Sequence, residues 1–310
     1  MPVTVARPRE LRGEIIAPGD KSVSHRAIML NALSHTGTAR ITNFSPGADC
    51  TSTVEIFRAL GVDIAREPGR DGMGDSLTVR GVGLNGLQEP ADVLDAGNSG
   101  TTTRLMSGIL AGRNIVTILT GDDSLKSRPM GRVVDPLRKM GAEITGRAGG
   151  TLVPLVFYGG SLKGTSYQMP VASAQLKSCL LLAGLRADGV TSITQPAESR
   201  DHTERMFSAM GVKLAKNGLE LTLEPSDLET VDIEIPGDIS SAAFWMIAGI
   251  CHPNAELFVR NVGINPTRAG IITLLQQMGA DLKLVDQREV AGEPVADVLV
   301  KSSQLKGVEL

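Results

Sequence analysis

Residues 137–144, LRKMGAEI, form a phrase that occurs in nearly the same form at three other places in the chain. The other copies are residues 57–64 (FRALGVDI), 207–214 (FSAMGVKL) and 275–282 (LQQMGADL), and the four glycines are spaced by 80, 70 and 68 residues. Each phrase predicts the last turn of an amphipathic helix, a glycine in the left-handed position that ends it, and then an alternating strand. The chain therefore contains four copies of one α/β supersecondary unit, with a period too long for a solenoid.

Each unit also begins alike, with a loop rich in small and hydroxyl residues that runs directly into an apolar helix. The four loops are residues 19–26, 97–104, 172–177 and 237–241. The patterns predict first helices over 27–33, 105–111, 178–185 and 242–250, and second helices over 50–60, 130–140, 202–210 and 267–278. They predict strands over 39–41, 76–79, 115–120, 192–194, 219–223 and 256–259. This βαβαββ-like order predicts an α/β (α+β) fold of mixed sheets covered by helices on several sides.

Composition excludes several classes of function. The chain has 310 residues, 42% of them hydrophobic, with a net charge of −3 and 3% aromatic residues, so it lacks the charge and the stacking platforms typical of nucleic-acid binding. No apolar run is long enough for a transmembrane helix, and residues 1–15 lack the apolar block of a signal peptide. Cysteines at 50, 179 and 251 are predicted to be buried thiols rather than disulfides or metal ligands, which favours the cytoplasm.

Cationic side chains cluster at the helix-start loops. Lys21 and Arg26 flank the first loop, Arg104 closes the second, and Lys126 and Arg128 lie in a further loop, residues 121–131, that again enters a helix. Helix starts present unpaired backbone N–H groups that suit a phosphate or carboxylate, and guanidinium groups bind such anions in bidentate fashion. The pattern predicts a cleft for a small polyanion, although Ser, Thr and Asp also cap helices that bind nothing.

Five motifs in a fixed order resemble those of the 5-enolpyruvylshikimate-3-phosphate synthases. They are residues 18–27 (PGDKSVSHRA), 94–105 (LDAGNSGTTTRL), 126–130 (KSRPM), 173–175 (SAQ) and 198–204 (ESRDHTE), the last being a variant found in one bacterial branch. The resemblance extends from about Ile15 to the end of the chain. It implies a fold of enolpyruvyl-transferase-like domains built from the repeated units.

The resemblance also implies a reaction. The 5-hydroxyl of shikimate 3-phosphate adds to the central carbon of phosphoenolpyruvate while the methylene carbon is protonated, and the adduct then loses phosphate to give an enolpyruvyl ether. This is a step of the shikimate pathway, which leads to aromatic amino acids. The two substrates are the expected small-molecule partners, and no organic cofactor, metal, nucleic acid or membrane is implied. Such an enzyme must hold two dianions together, chiefly by positioning and fixed charge.

Matching the motifs residue by residue gives the expected site. Lys21, the one residue expected to act in catalysis, would contact both substrates and shuttle a proton. The other residues expected to bind shikimate 3-phosphate are Ser22, Arg26, Ser173, Ala174 (through its backbone), Gln175 and Arg200. Phosphoenolpyruvate would further meet Gly100, Arg128 and Gln175, with the glycine allowing close approach of the backbone.

Four further residues in or near these motifs can be explained by a structural role as well as by a functional one. Arg104 could serve only to pin its loop, and His25 is expected to be a buried structural histidine. His202 is expected to serve as a helix N-terminal residue, and Asp49 to cap the helix that begins near Cys50.

The chain departs from the family in its second half. The family has six repeated units, three in each of two domains, and only four are visible here. The expected domains are residues 20–230, with three units, and residues 1–19 plus 231–310, with one unit, joined at a hinge near 231–236. The family's acidic catalytic residue and its later Lys and Arg residues have no match after Leu282. We therefore expect a C-terminally truncated synthase with an incomplete second domain and exposed apolar faces, which binds shikimate 3-phosphate with weak or absent turnover.

Three other readings remain open. UDP-N-acetylglucosamine enolpyruvyl transferases carry a Cys in the loop matched by residues 121–129, and this loop has none. RNA-end cyclases share similar units but not the five motifs. A non-catalytic binding module, self-associating or complemented by a separate C-terminal fragment, is the alternative from another class.

Overall fold

Four four-stranded sheets of the same topology organise the chain. The computed structural model describes residues 8–35, 37–69 and 73–309. The strands are Leu11–Ile16 (β1), Thr38–Phe44 (β2), Ile64–Glu67 (β3), Asp75–Arg80 (β4), Leu94–Asp95 (β5), Thr117–Thr120 (β6), Ile144–Gly146 (β7), Leu152–Phe157 (β8), Ser166–Gln168 (β9), Thr191–Thr194 (β10), Leu214–Asn217 (β11), Glu220–Leu223 (β12), Ile233–Glu234 (β13), Ala255–Gly263 (β14), Leu282–Val290 (β15) and Glu293–Lys301 (β16).

Helices separate the strands in the predicted order. They are Lys21–Leu33 (α1), Ala48–Ala59 (α2), Gly100–Leu110 (α3), Asp123–Lys126 (α4), Gly131–Lys139 (α5), Arg147–Gly150 (α6), Ala174–Gly184 (α7), His202–Ala209 (α8), Ile239–Cys251 (α9) and Gly270–Gln277 (α10). All eight predicted helices are present, the first helix of each unit beginning three to six residues earlier than the apolar pattern indicates. The prediction falls short there because the polar cap residues belong to the helix without contributing to its apolar stripe.

Every repeated phrase ends its helix in the same way. Gly61, Gly141, Gly211 and Gly279 all have φ between 79° and 101°. In each copy the glycine N–H bonds the carbonyl three residues back, and the next N–H bonds the carbonyl five residues back, at 2.9–3.3 Å. This pair of bonds is the Schellman motif, so the predicted left-handed glycines are confirmed at all four sites.

The sheets share one strand order and differ in where their first strand comes from. The orders are β13-β2-β4-β3, β5-β6-β8-β7, β9-β10-β12-β11 and β1-β14-β16-β15, with the first pair parallel and the others antiparallel. The first and fourth units have exchanged first strands, since β1 lies beside β14 and β13 lies beside β2. The expected βαβαββ architecture is confirmed, and the predicted hinge at 231–236 contains β13.

Two matching crossover segments connect these exchanged strands. Residues 18–20 and 236–238 both read Pro-Gly-Asp. Asp20 N donates to Pro236 O at 2.7 Å, and Asp238 N donates to Pro18 O at 2.8 Å. Both aspartates then cap a helix, α1 and α9. The crossovers therefore place the starts of α1 and α9 side by side.

Buried apolar residues form two separate clusters. One takes residues from all of the first three units, between Val23 and Ile235. The other consists of Ala17 and residues of the fourth unit, between Ile239 and Val300. The clusters divide the chain much as expected, with Ala17 in the smaller one, but Ile233 and Ile235, expected in the second domain, lie in the larger one. The division at 20–230 and 231–310 stays a prediction, and residues 1–7 of the expected second domain lie outside the described part of the chain.

Helix α9 shows an uncovered apolar face. Phe244 is 78% exposed, and Trp245 and Ile247 are each more than 40% exposed. An apolar face of this kind was expected on the second domain. The cysteine prediction is wrong for one residue: Cys50 and Cys179 are buried, whereas Cys251, at the end of α9, is exposed. Cys251 follows an apolar stretch of sequence, but that stretch forms a helix with one side exposed to solvent, so an apolar neighbourhood in the sequence did not mean burial.

Two features are absent from the residues that the structure describes. None of the helices there has the length and apolar character to cross a bilayer. The same residues contain no group of three or more His, Cys, Asp or Glu side chains arranged to hold a metal ion.

Candidate active site

The starts of four helices meet at one cleft. α1, α3 and α7 each begin with a side chain that caps the helix: Asp20 accepts from Val23 N at 2.9 Å, and Ser99 and Ser173 make the equivalent bonds. The fourth start belongs to α8. The inner recess of the cleft is lined by Ser22, Arg26, Thr101, Ala174, Gln175, Arg200 and His202. Helix starts carry a partial positive charge, so their convergence favours an anion.

An outer recess continues the inner one toward solvent. It has a volume of about 430 Å³ and is lined by Arg132, Val171, Ala172, Ser173, Ala174, Gln175, Glu198, Ser199 and Arg200. Ala174, Gln175 and Arg200 line both recesses, which makes the two continuous. A larger depression, about 530 Å³, lies on the first sheet near Arg40 and Asn43 and shares none of these residues.

Arg26 lies at the floor of the inner recess and holds three elements together. It is 4% exposed, and it donates to Thr203 Oγ1 at 2.7 Å, Ser178 Oγ at 2.9 Å and Ser22 O at 2.9 Å. Burial lowers the pKa of Arg26 to about 10, so the group stays charged near neutral pH. Three of its five N–H donors are used by the protein, and two remain for a ligand.

Lys21, the first residue of α1, is beside Ser22 but does not line either recess. Its ammonium pairs with the Asp49 carboxylate. The expectation that Asp49 caps its helix is wrong, because Gly47 is the N-cap of α2 and Asp49 lies in the first turn. Asp49 O also accepts from Thr102 Oγ1 at 3.4 Å, which ties α2 to α3.

Gly100 lies where two arginines approach the start of α3. A Cβ there would lie 2.9 Å from Arg104 Nη1 and 3.4 Å from Arg128 Nη1. Arg104 donates to Gln175 Oε1 at 2.8 Å, and Gln175 Nε2 donates to Thr101 Oγ1 at 3.0 Å. Arg104 therefore orients the Gln175 side chain. Its other hydrogen bond, to a backbone carbonyl at 3.4 Å, also ties it to a neighbouring loop. Burial, then neighbouring arginines, lowers the pKa of Arg104 to about 10.

Arg128 is held by neutral acceptors. Its guanidinium donates to Asn98 Oδ1 at 2.6 Å, Asn98 O at 3.1 Å and Ser124 Oγ at 3.0 Å. These bonds aim the group without cancelling its charge. The same holds around the cleft: in the described parts of the chain no carboxylate lies within 4.0 Å of five arginines, namely Arg26, Arg104, Arg128, Arg132 and Arg200.

The expected site residues are thus brought to one region of the molecule. Ser22, Arg26, Ala174, Gln175 and Arg200 share the inner recess, and Ser173 lines the outer one. Lys21, expected to contact both substrates, and Gly100 and Arg128, expected to bind phosphoenolpyruvate, lie outside both recesses. Gly100 and Arg128 connect to the cleft through Arg104 and Gln175. The roles of all these residues stay predictions.

Several residues of this region were not found from the sequence. Arg132 lines the outer recess, and the buried Lys177 donates to Ser199 O at 3.2 Å and pairs with Glu204 at 2.6 Å. In the sequence, Lys177 stands directly before an apolar helical run, and this placement could have predicted a buried, paired lysine. Glu293 gave no signal, because its contact with His202 joins residues 91 positions apart.

Comparison with known proteins agrees with this arrangement. A family model described as EPSP synthase (3-phosphoshikimate 1-carboxyvinyltransferase) matches residues 5–310. A 3-phosphoshikimate 1-carboxyvinyltransferase of Pelobacter propionicus is 50% identical over 309 residues, covering 99% of this chain and 70% of the relative. One of Bacillus anthracis is 52% identical over 301 residues, covering 97% and 68%.

A solved structure of EPSP synthase from Acinetobacter baumannii superposes with a TM-score of 0.91 at 45% identity, covering 97% of this chain and 67% of that one. The family expected from the five motifs is therefore confirmed, and so is its fold. By sequence and by structure, the chain belongs to the EPSP synthase (3-phosphoshikimate 1-carboxyvinyltransferase) family.

Proposed function

We propose that this chain is a transferase that takes part in the transfer of the enolpyruvyl group of phosphoenolpyruvate to the 5-hydroxyl of shikimate 3-phosphate, with release of phosphate. The names of its relatives support the reaction, which belongs to the shikimate pathway. The observation that carries the proposal is the cleft itself, where helix starts converge and where Arg26, Arg132 and Arg200, which have no carboxylate partner among the described residues, line two continuous recesses. A doubly charged phosphate is the kind of ligand that such a field attracts.

We assign the cleft to shikimate 3-phosphate. Ser173, the Ala174 backbone, Gln175 and Arg200 would bind the phosphate and one side of the ring at the start of α7. Ser22 and Arg26 would hold the opposite side. Because Arg26 is itself pinned to α7 and α8, the ring would enter a site whose geometry is already set.

We assign phosphoenolpyruvate to the neighbouring surface formed by Lys21, Gly100, Arg128 and Gln175. The 5-hydroxyl oxygen would form a bond to the central carbon and lose its proton, while the methylene carbon takes up a proton. In the second step the bond between the central carbon and the phosphate oxygen breaks, the methyl group gives up a proton and the phosphate takes one up, which leaves the enolpyruvyl ether and phosphate. Lys21, paired with Asp49, is the group of this surface that can hold a proton.

Calorimetric titration of the 310-residue polypeptide with shikimate 3-phosphate tests this function. We expect saturable binding, and we expect Arg200→Gln to weaken it by about 10- to 100-fold, as for loss of a hydrogen bond to a charged group. Arg80→Gln removes the same charge from an exposed strand end and should change the affinity less than about 2-fold. Equal effects of the two substitutions, or no binding at all, would contradict the assignment.

The alternative is that this polypeptide binds without turnover. The acidic residue expected to take the hydroxyl proton has no match in the sequence, which favours slow release of phosphate. Phosphate release with both substrates measures this directly. Release at a steady rate typical of enzymes, about 1 to 1,000 per second, would overturn the expectation of weak activity.

The exposed face of α9 supports self-association or pairing with a complementary chain. Phe244, Trp245 and Ile247 present an apolar surface of a kind that usually meets another protein. Sedimentation velocity should show concentration-dependent association that Phe244→Lys reduces. We also propose a cytoplasmic location, which the three free thiols support and cell fractionation would test.

A further inference from the structure

His202 connects the two hydrophobic clusters at the cleft. It is the first residue of α8, 2% exposed, and it lines the inner recess together with Arg26 and Gln175. It also lines a second small cavity, which lies between the first three units and the fourth and includes Glu293 and Asn265. One imidazole ring therefore borders both the candidate ligand site and the junction between units.

Glu293 fixes one side of that ring. His202 Nδ1 lies 2.7 Å from Glu293 Oε1, and Asn265 donates to Glu293 Oε2 at 3.0 Å. Both partners of the pair are only 3% exposed at the side chain. Burial raises the pKa of Glu293, but the bonds and charge from His202 and Asn265 outweigh burial and hold that pKa below its usual value. The carboxylate is therefore ionised and can only accept, so Nδ1 carries the proton of the bond.

The other nitrogen of the ring is unused by the protein. His202 Nε2 is buried and finds no hydrogen-bond partner in residues 8–35, 37–69 and 73–309. With Nδ1 bonded to Glu293, Nε2 is the ring nitrogen left for a ligand, accepting a hydrogen bond in a neutral ring and donating one in a charged ring. A hydroxyl of a ligand can make either bond, whereas Arg26 and Arg200 supply the same recess with donors for a phosphate.

We propose that Nε2 of His202 forms a hydrogen bond with a ring hydroxyl of the ligand bound in the cleft, and that Glu293 is the positioning residue that holds the imidazole for it. This inference rests on the proposed function, which supplies a hydroxylated, phosphorylated ring. It couples the fourth unit to the cleft, because the carboxylate that orients the ring belongs to β16. Ligand binding and docking of the fourth unit then stabilise each other.

Nitrogen-15 NMR of the histidine-labelled 310-residue chain tests the contact, since the sequence has only four histidines. His202→Gln identifies the His202 signals by their loss. We expect the Nε2 signal to move when shikimate 3-phosphate or shikimate is added, and to stay in place with inorganic phosphate alone. An unmoved Nε2 signal under conditions where calorimetry shows saturated binding would overturn the proposal. Absence of calorimetric binding would instead contradict the proposed function.

A double-mutant cycle tests the positioning role of Glu293. His202→Gln and Glu293→Gln should each weaken shikimate 3-phosphate binding by about 3- to 10-fold, the range for one hydrogen bond, and the double variant should lose little more than either. Shikimate 3-phosphate affinities that fall by the same factor for Glu293→Gln with and without His202 would show that Glu293 acts by another route. Circular dichroism at the titration temperature identifies folded variants, and any variant that does not fold is replaced by His202→Asn or Glu293→Asp.

Discussion

His25 illustrates how far a single buried residue departs from its behaviour in water. It is fully buried in α1, with Nδ1 2.7 Å from Thr53 Oγ1. Burial, and then the charges of Lys21 and Arg26, lowers the pKa of His25 to about 3. The expectation of a buried histidine is thus met, and the ring is neutral near neutral pH.

This shift predicts how stability depends on pH. Between about pH 6.5 and pH 3 the unfolded chain binds a proton at position 25 that the folded chain does not, so acid favours unfolding. From pH 7.5 to pH 5.0 this residue alone should lower the free energy of unfolding by about 2 kcal/mol. Urea titrations should show that His25→Asn removes this part of the loss. Identical losses in both proteins would contradict the assigned shift.

Gly100 is the residue at which the proposed phosphoenolpyruvate site can be tested with a single methyl group. A Cβ would press on the ends of Arg104 and Arg128, which are flexible side chains, so the fold should tolerate it. We expect Gly100→Ala to change the free energy of unfolding by less than about 1 kcal/mol. Calorimetry should show phosphoenolpyruvate binding weakened and shikimate 3-phosphate binding nearly unchanged. A larger loss for shikimate 3-phosphate would place the two ligands the other way round.

At the scale of elements, the repeated helix ends allow a clean test of backbone strain. Gly279 has φ of 91°, and a Cβ there would meet nothing closer than 3.8 Å. Gly279→Ala should therefore cost about 1 kcal/mol through the left-handed backbone alone. Gly270 begins α10 with open space around it and an ordinary backbone, so Gly270→Ala should be neutral or slightly stabilising. Chemical unfolding of both variants measures the difference, and equal stabilities would contradict it.

The elements also show what a sequence can and cannot predict. The four phrases predicted the helix ends because a Schellman turn is local, with all its bonds within six residues. The family resemblance, not a local pattern, assigned residues 1–19 to the second domain, and the pairing of β13 with β2 was not expected, since strand partners 192 to 244 residues apart leave no local pattern. The motif residues of the cleft could be named, whereas the contact between Glu293 and His202 emerged only from packing.

At the scale of the whole molecule, two apolar cores meet through polar contacts. Arg268 joins them, donating to Asp20 Oδ2 at 3.1 Å and Asp238 Oδ1 at 3.3 Å, the caps of α1 and α9. His202 and Glu293 form the second link. Polar contacts of this kind fix orientation but add less stability than a continuous apolar core.

Separate cores predict separate stabilities. The single tryptophan, Trp245, is on α9 in the smaller cluster's unit, so its fluorescence reports the fourth unit alone. We expect its urea midpoint to lie below the midpoint seen by far-ultraviolet circular dichroism, because the smaller core with its open apolar face buries less surface. Coincident midpoints would show that the two cores unfold as one.

The most direct test of the central claim is the structure of this chain crystallised with shikimate 3-phosphate. The account predicts a phosphate within hydrogen-bond distance of Ser173, Gln175 and Arg200, and a ring that extends toward Ser22 and Arg26. A ligand in the depression near Arg40 and Asn43, or a cleft without ligand in crystals of a chain that binds it in solution, would contradict the assignment.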